Sequence, residues 1–367
     1  GNANVGEIEY TGKGSAQTAI IRTNNGETKL KINAANDTVK HYGTVGIVNV
    51  LAVDKNNSYH EFGSARTLTV TSGHIVLESG SLVYELKKAE NSEESNVSFA
   101  NSGTVIKAEG ITNVTTAKTY DIDTLDKLCA FRDYVNAGMD FSNLPVEIKA
   151  DIDMSSVSWR AIGTAENPFN GEIRGNGHTL KGLTNGNVNL AEDAFTTSTT
   201  KTYGSVYGFI GIAGYNDSKD FELTIKSSTN NANVEANRTD SYNRAGGFVG
   251  ALGKDRDDKD KNGIVCKSVT FENCTDTGNV TVTGHKAVES SVNNKGFIVS
   301  AGGFIGSANT SSGNVGNKVK IVGDSTNTGT ITAKNTATNG SKVVTGTETG
   351  DRDETAWVSV YPKVSEL

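Results

Sequence analysis

Proline is nearly missing from this chain: it has 3 in 367 residues, alongside 3 Cys, 2 Met and 2 Trp. With so few prolines, the many chain reversals must fall to the 41 glycines and to Asn, Ser and Thr. Three cysteines cannot close into a disulfide framework. Cys266 and Cys274 fit no metal spacing; a turn that brings them together would let them pair, but buried free thiols are the plainer reading of Cys129, Cys266 and Cys274. Excess positive charge is also missing. The net charge is −7, and without a basic stripe a general nucleic-acid role is disfavoured. No apolar run approaches the roughly 18–20 residues that span a bilayer as a helix. The chain opens Gly1-Asn2-Ala3, with neither Met nor a basic-then-apolar leader, as a processed form would. Hydrophobic residues make up 35%, below the roughly 45–50% of ordinary domains. They are nonetheless too regularly placed for disorder.

What the chain does have is repetition. Gly208-Phe209-Ile210-Gly211 returns as Gly246-Gly247-Phe248-Val249-Gly250 and again as Gly302-Gly303-Phe304-Ile305-Gly306. Alternating with it are Ser228-Thr229-Asn230-Asn231, Cys274-Thr275-Asp276-Thr277-Gly278 and Ser325-Thr326-Asn327-Thr328-Gly329. Two phrases alternating in fixed order predict stacked units of one kind. A unit of roughly 45 residues is expected to make two coils of a β-helix, with insertions bulging out as loops. Phe209, Phe248 and Phe304 should then point inward and stack in a column, the paired glycines letting the backbone bend beneath them. Leu223/Ile225, Val269/Phe271 and Val319/Ile321 should alternate into the core. Trp357, Val358, Val360 and Tyr361 are placed to seal the last coil.

Residues 1–119 read as a separate β region, either further coils or a small β domain. There, Asn24-Asn25-Gly26 between two apolar-alternating runs predicts a tight hairpin and hence some antiparallel pairing. Residues 123–137 carry the one helical pattern, with Leu125, Leu128, Cys129, Phe131, Tyr134 and Val135 near 3.6-residue spacing. Asp123 is its candidate N-cap and Gly138 its left-handed stop. A lone amphipathic helix at this point is placed to cover an open edge of the array that follows.

From Tyr120 to Leu183 the motifs resemble the opening segment of bacterial surface proteins with GLUG-type repeats. The matching residues are Val135-Asn136-Ala137-Gly138 at the helix end, Asp151-Ile152-Asp153, Trp159 before Ile162-Gly163, and Phe169-Asn170-Gly171 before Gly175-Asn176-Gly177-His178-Thr179-Leu180. Residues 203–333 resemble the repeats themselves. The resemblance implies an all-β fold: a right-handed parallel β-helix, or solenoid, over residues 120–367 with one capping α-helix. It implies a non-catalytic adhesin-like protein, secreted or on the bacterial cell surface, binding a host surface protein or a glycan through loops and a solenoid face.

Candidate chemistry is sparse. Asp258-Lys259-Asp260-Lys261-Asn262-Gly263 spaces oxygen ligands as a calcium loop does, so Asp258, Asp260 and Asn262 are candidate calcium ligands. Against this, Val269 stands where an EF-hand has its bidentate Glu, and two lysines interleave; a solvated loop is the plainer reading. No other cofactor is expected. Tyr203, Tyr215 and Tyr242 are candidate sugar-stacking residues, while Tyr207 and Phe221 read as core. Asp151 and Asp153 could serve as the carboxylate pair of a β-helix lyase or hydrolase, the competing functional class. A structural role at turns suits them better, as it does His178. No Ser-His-Asp, Cys-His or phosphate-loop signature is present.

Overall fold

The computed structural model describes residues 6–12, 16–53, 58–90, 92–93, 96–112, 114–157, 159–164, 167–182, 205–213, 221–231, 233–237, 243–252, 266–284, 299–308, 319–335, 343–346 and 349–351. Among the described residues strands make up 59%, with one helix, so the all-β expectation holds. The chain divides into two compact units, one of Gly1–Tyr120 with Asp126–Ala137, the other of Asp121–Leu125 with Gly138–Leu367. The expected C-terminal seal at Trp357–Tyr361 lies outside the described residues.

In the first unit the ladders are parallel throughout. Strand Thr18–Ala34 pairs with Thr38–Val53, whose two halves pair with Tyr59–Glu61 and Ser64–Val70. These are followed in register by Gly73–Leu77 with Leu82–Lys88, and then by Val97–Asn101 with Thr104–Glu109. Each rung therefore repeats after about 20 residues: Leu30, Val48, Leu68, Leu86 and Ala108 are successive partners (68 − 48 = 20). The first four of these are fully buried, within a core shared with Val39, Val45, Tyr59, Ala65, Ile75 and Val83. Parallel neighbours set about 4.8 Å apart let identical apolar positions stack face on face.

The expected hairpin is not formed. Asn24-Asn25-Gly26 lies inside the single strand Thr18–Ala34, at a register shift between Asn25 and Lys29. The Asn25 side chain accepts a bond from the Glu27 N–H (2.9 Å), a local Asx bend. The sequence therefore makes a corner and the chain continues onward. Asn-Gly specifies a bend, but the direction of pairing comes from the partner strand Thr38–Val53, which runs parallel.

Helix α1 spans Leu125–Asn136 and buries Leu128, Ala130, Phe131, Tyr134 and Val135. Gly138 follows at φ +91°, the left-handed stop expected of it. The buried face lies against the first unit. Asp133 sits over Gly26, Arg66 donates to the Ala137 carbonyl (3.4 Å), and Phe131 packs against Tyr120 with ring centroids 5.6 Å apart.

In the second unit every strand pairs with its counterpart one repeat later. One sheet carries Val146, Ile173, Ile225, Phe271 and Ile321 as successive partners. Another carries Leu180, Asn230, Asp276 and Asn327, and a third Val234, Val280 and Ile331. Two more carry Ala245 with Ala301, and Ile210, Val249 and Ile305. After a shorter first step (173 − 146 = 27), the step is about 50 residues (225 − 173 = 52, 271 − 225 = 46, 321 − 271 = 50). This corrects the expectation of two coils per unit. Two coils would pair strands half a repeat apart, whereas each repeat crosses five different sheets once before meeting its own counterpart.

Phe209, Phe248 and Phe304 are all buried, as expected, at no more than 2% exposure. Phe248 and Phe304 stack at 5.4 Å, and Trp159 stacks on Phe209 at 5.6 Å. The Trp159 indole N–H also donates to the Phe209 carbonyl (3.3 Å). The glycines beside the phenylalanines serve close approach: a Cβ on Gly246 would come 2.2 Å from the Val249 carbonyl oxygen and 2.5 Å from the Gly306 nitrogen. Neither Gly246 nor Gly247 is among the glycines with positive φ.

Candidate functional site

The sequence-predicted site residues Tyr203, Tyr215 and Tyr242, and Asp258, Asp260 and Asn262, all lie outside the described residues. Tyr207 packs, half-buried, against the cluster of Val234, Ala236 and Val280. Among the described residues no group of three His, Cys, Asp or Glu side chains is gathered as for a metal. No helix there is long and apolar enough to cross a membrane.

The most concentrated polar constellation is inside the first unit. His41 and Glu61 are direct ladder partners, both 0% exposed, with Nδ1 2.8 Å from Oε1. Glu61 also accepts from the Tyr59 hydroxyl and from the Gly63 N–H, each at 2.8 Å. Burial first, and then the Glu61 charge, drive the Tyr59 hydroxyl well above the ordinary tyrosine range. Burial does the same to Tyr134 of α1, which also faces Glu61 and Ser64. At the other end of the imidazole, Nε2 lies 2.7 Å from Thr23 Oγ1.

Hydroxyl, imidazole and carboxylate in line resemble the relay of an acyl-transfer enzyme. The proton inventory argues otherwise. Thr23 has one hydroxyl proton and gives it to the Thr44 carbonyl oxygen at 2.6 Å. The Nε2 contact therefore needs a proton on the ring, and an Nε2–H has no lone pair with which to activate Thr23. The network satisfies buried polar atoms at a corner where strands of successive rungs turn together. Gly43 (φ +91°) stands there, and a Cβ on Gly63 would come 2.0 Å from its carbonyl oxygen. Sequence reading missed this network because His41 and Glu61 are 20 residues apart; they meet only through the rung repeat.

On the outward side of the same rungs, side chains stack in a second row. The Arg22 guanidinium carbon sits 5.1 Å above the Tyr42 ring centre. Tyr42 stacks on Phe62 at 4.6 Å with planes 10° apart. The His60 ring lies 6.2 Å from Phe62 and its Nδ1 meets Glu78 at 2.7 Å. Arg22 is exposed, and Tyr42, Phe62 and His60 are half-buried.

In the second unit Asp151 and Asp153 act as turn caps. Asp151 accepts from the Thr179 N–H (2.9 Å) and lies 3.3 Å from His178 Nδ1, while Asp153 accepts from the Ser155 N–H (3.0 Å). These bonds hold both carboxyls below the usual range: the Thr179 amide does so first for Asp151, and Ser155 for Asp153. A general acid needs the opposite shift. Outward charges form a self-paired row in which Arg174 bridges Glu147 (3.1 Å) and Glu172 (2.9 Å), and Lys226 reaches Glu172 (3.2 Å) and Glu272 (3.9 Å). Lys149 also pairs with Glu147.

Cys274 is a buried free thiol, as expected, pushed up to about 11 by burial. Cys129 is also free but only half-buried. Two residues beyond Cys274, Asp276 is 0% exposed and its carboxyl is pushed up to about 7, burial being the cause. It is the one described carboxyl with a raised value, and it faces the core.

Comparison of the chain with protein-family models, with curated proteins and with solved structures finds no match.

Proposed function

We propose that this is a non-catalytic, adhesin-like protein of the bacterial surface or the secreted space. In this reading its stacked parallel rungs form a right-handed β-helix that presents a face and loops to a host surface protein or a glycan. Right-handedness is the hand of about 98% of parallel crossover connections. The observation that carries the reading is the outward row Arg22–Tyr42–Phe62, a cation and two aromatic rings on neighbouring rungs, with His60 beside Phe62 on the same rung. Such a row offers ring edges and a guanidinium to a sugar or a peptide side chain on a surface, without a cleft.

The test is a glycan and extracellular-matrix array probed with the wild-type protein and with an Arg22→Ala/Tyr42→Ala variant. Binding that the variant loses at least tenfold supports the proposal; binding that the variant retains in full removes this row from it. A purely structural stalk is the second reading, favoured by the self-paired charges around Glu147, Arg174, Glu172 and Lys226, which leave few charges for a partner. An array with no binding at all would favour the stalk.

A further inference from the structure

The two recurring phrases meet at Asp276. Its column runs Leu180, Asn230, Asp276, Asn327 through successive rungs, so a neutral amide stands on either side of one carboxyl. Oδ1 accepts from the Asn230 amide at 2.8 Å and from the Gly278 N–H at 3.4 Å. Oδ2 is buried and meets no donor. It points into the Gly-Gly-Phe phrase, where a Cβ on Gly247 would lie 2.2 Å from Oδ2 and 2.4 Å from the carbonyl oxygen of Gly303, one repeat on. Two oxygens thus converge on the same bare glycine, whose own N–H is taken by the Gly303 carbonyl at 2.8 Å and is not offered to Oδ2. An ionised Oδ2 there would have no donor of its own inside the core, which makes the charged form costly.

We infer that Asp276 is a built-in proton switch: it folds as the neutral carboxylic acid, with its Oδ2 proton directed at the Gly303 carbonyl and tying one repeat to the next. The groups facing it are the Asn230 amide, the Gly278 N–H, Gly247 and Gly303, with Asn327 in register on the following rung, and none of these is charged. Cys274, two residues before it, is a thiol held neutral by burial. Burial pushes the carboxyl up to about 7, outweighing the Asn230 amide and the Gly278 N–H, the two donors that favour the charged form.

The sign follows from linkage. An unfolded Asp releases its proton near pH 3.9, at about the ordinary value. Between about pH 4 and about 7 the folded unit therefore binds more protons than the unfolded chain, and stability falls as pH rises through that window. Above it the loss is complete and stays constant. The repeats are tightest in mild acid and loosen towards neutral pH.

The experiment is denaturant unfolding from pH 4 to 9 on the full chain and on Asp276→Asn, together with a carbon-13 titration of the aspartate carboxyls in the wild type. The expected result is a fall in the wild-type folding constant of up to about a thousandfold across the window, absent in Asp276→Asn, which supplies an N–H where the acid has its O–H. One aspartate carboxyl, assigned through bonds to Asp276, should titrate near neutrality. Equal pH slopes for the two proteins, or an Asp276 carboxyl that titrates with the exposed aspartates, would overturn the inference. If Asp276→Asn does not fold, the wild-type titration decides alone.

Discussion

His41 and Glu61 show how much a single buried pair is asked to hold. Glu61 accepts three bonds, from His41, Tyr59 and Gly63, with no exposure to water. Glu61→Gln keeps the shape and removes the charge, leaving the imidazole without its carboxylate partner. Breaking one side of such a pair costs about 3–5 kcal/mol. Urea unfolding should show that loss for Glu61→Gln, and a change under 1 kcal/mol would mean that the network is not an ionic one. Phe248 is the other residue of this kind, packed between Phe271 at 5.8 Å and Phe304 at 5.4 Å. Phe248→Ala should cost about 3–5 kcal/mol, read by the same measurement. At this scale the inward direction of Phe209, Phe248 and Phe304 was legible in the sequence, because their spacing recurs with the repeat. The Glu61 network was not, since a lone His and a lone Glu carry no local signal of their pairing.

At the scale of elements the informative case is Thr18–Ala34, a 17-residue strand with a bend inside it. The Asn25 side chain holds that bend through the Glu27 N–H. Asn25→Ala removes the bond to the Glu27 N–H, worth about 0.5–1.5 kcal/mol, and should leave the far-ultraviolet dichroism of strand unchanged. A wholesale loss of strand signal would point instead to a reversal that nucleates the sheet. Gly63 is stricter. With its would-be Cβ 2.0 Å from the Gly43 carbonyl oxygen, Gly63→Ala forces the two rungs apart. A thermal melt should place it well below Asn25→Ala, by several degrees for each kcal/mol lost. The helix was legible from its periodic Leu128, Phe131, Tyr134 and Val135. Its resting place on the first unit was not, because an apolar stripe does not state which apolar surface receives it.

At the scale of the whole molecule, both units are built from rungs that pair only with the next in line, at steps of about 20 residues in one and about 50 in the other. Stability in such arrays is close to a sum of neighbour terms, so the ends should open first. Hydrogen exchange read by mass spectrometry should find the slowest amides in the central rungs, around Val48 and Leu68 in the first unit and Ile225 and Phe271 in the second. The first strand Glu7–Thr11 and Ile331–Asn335, the last of its own sheet, should exchange faster. Uniform protection from end to end would argue for a single cooperative core.

The amino-acid sequence by itself determined that this protein is all-β, repetitive and Gly-cornered, with the helix at Leu125–Asn136 and an inward aromatic column. Each of these follows from local spacing, and local spacing is written in the chain. Only the tertiary structure decided that Asn24-Asn25-Gly26 bends without reversing, that a repeat of about 50 residues makes one rung instead of two, and that Asp276 faces Gly247 from inside the core. Those outcomes depend on which residue lies one repeat away. That distance is set by strand pairing across tens of residues, and no local pattern encodes it.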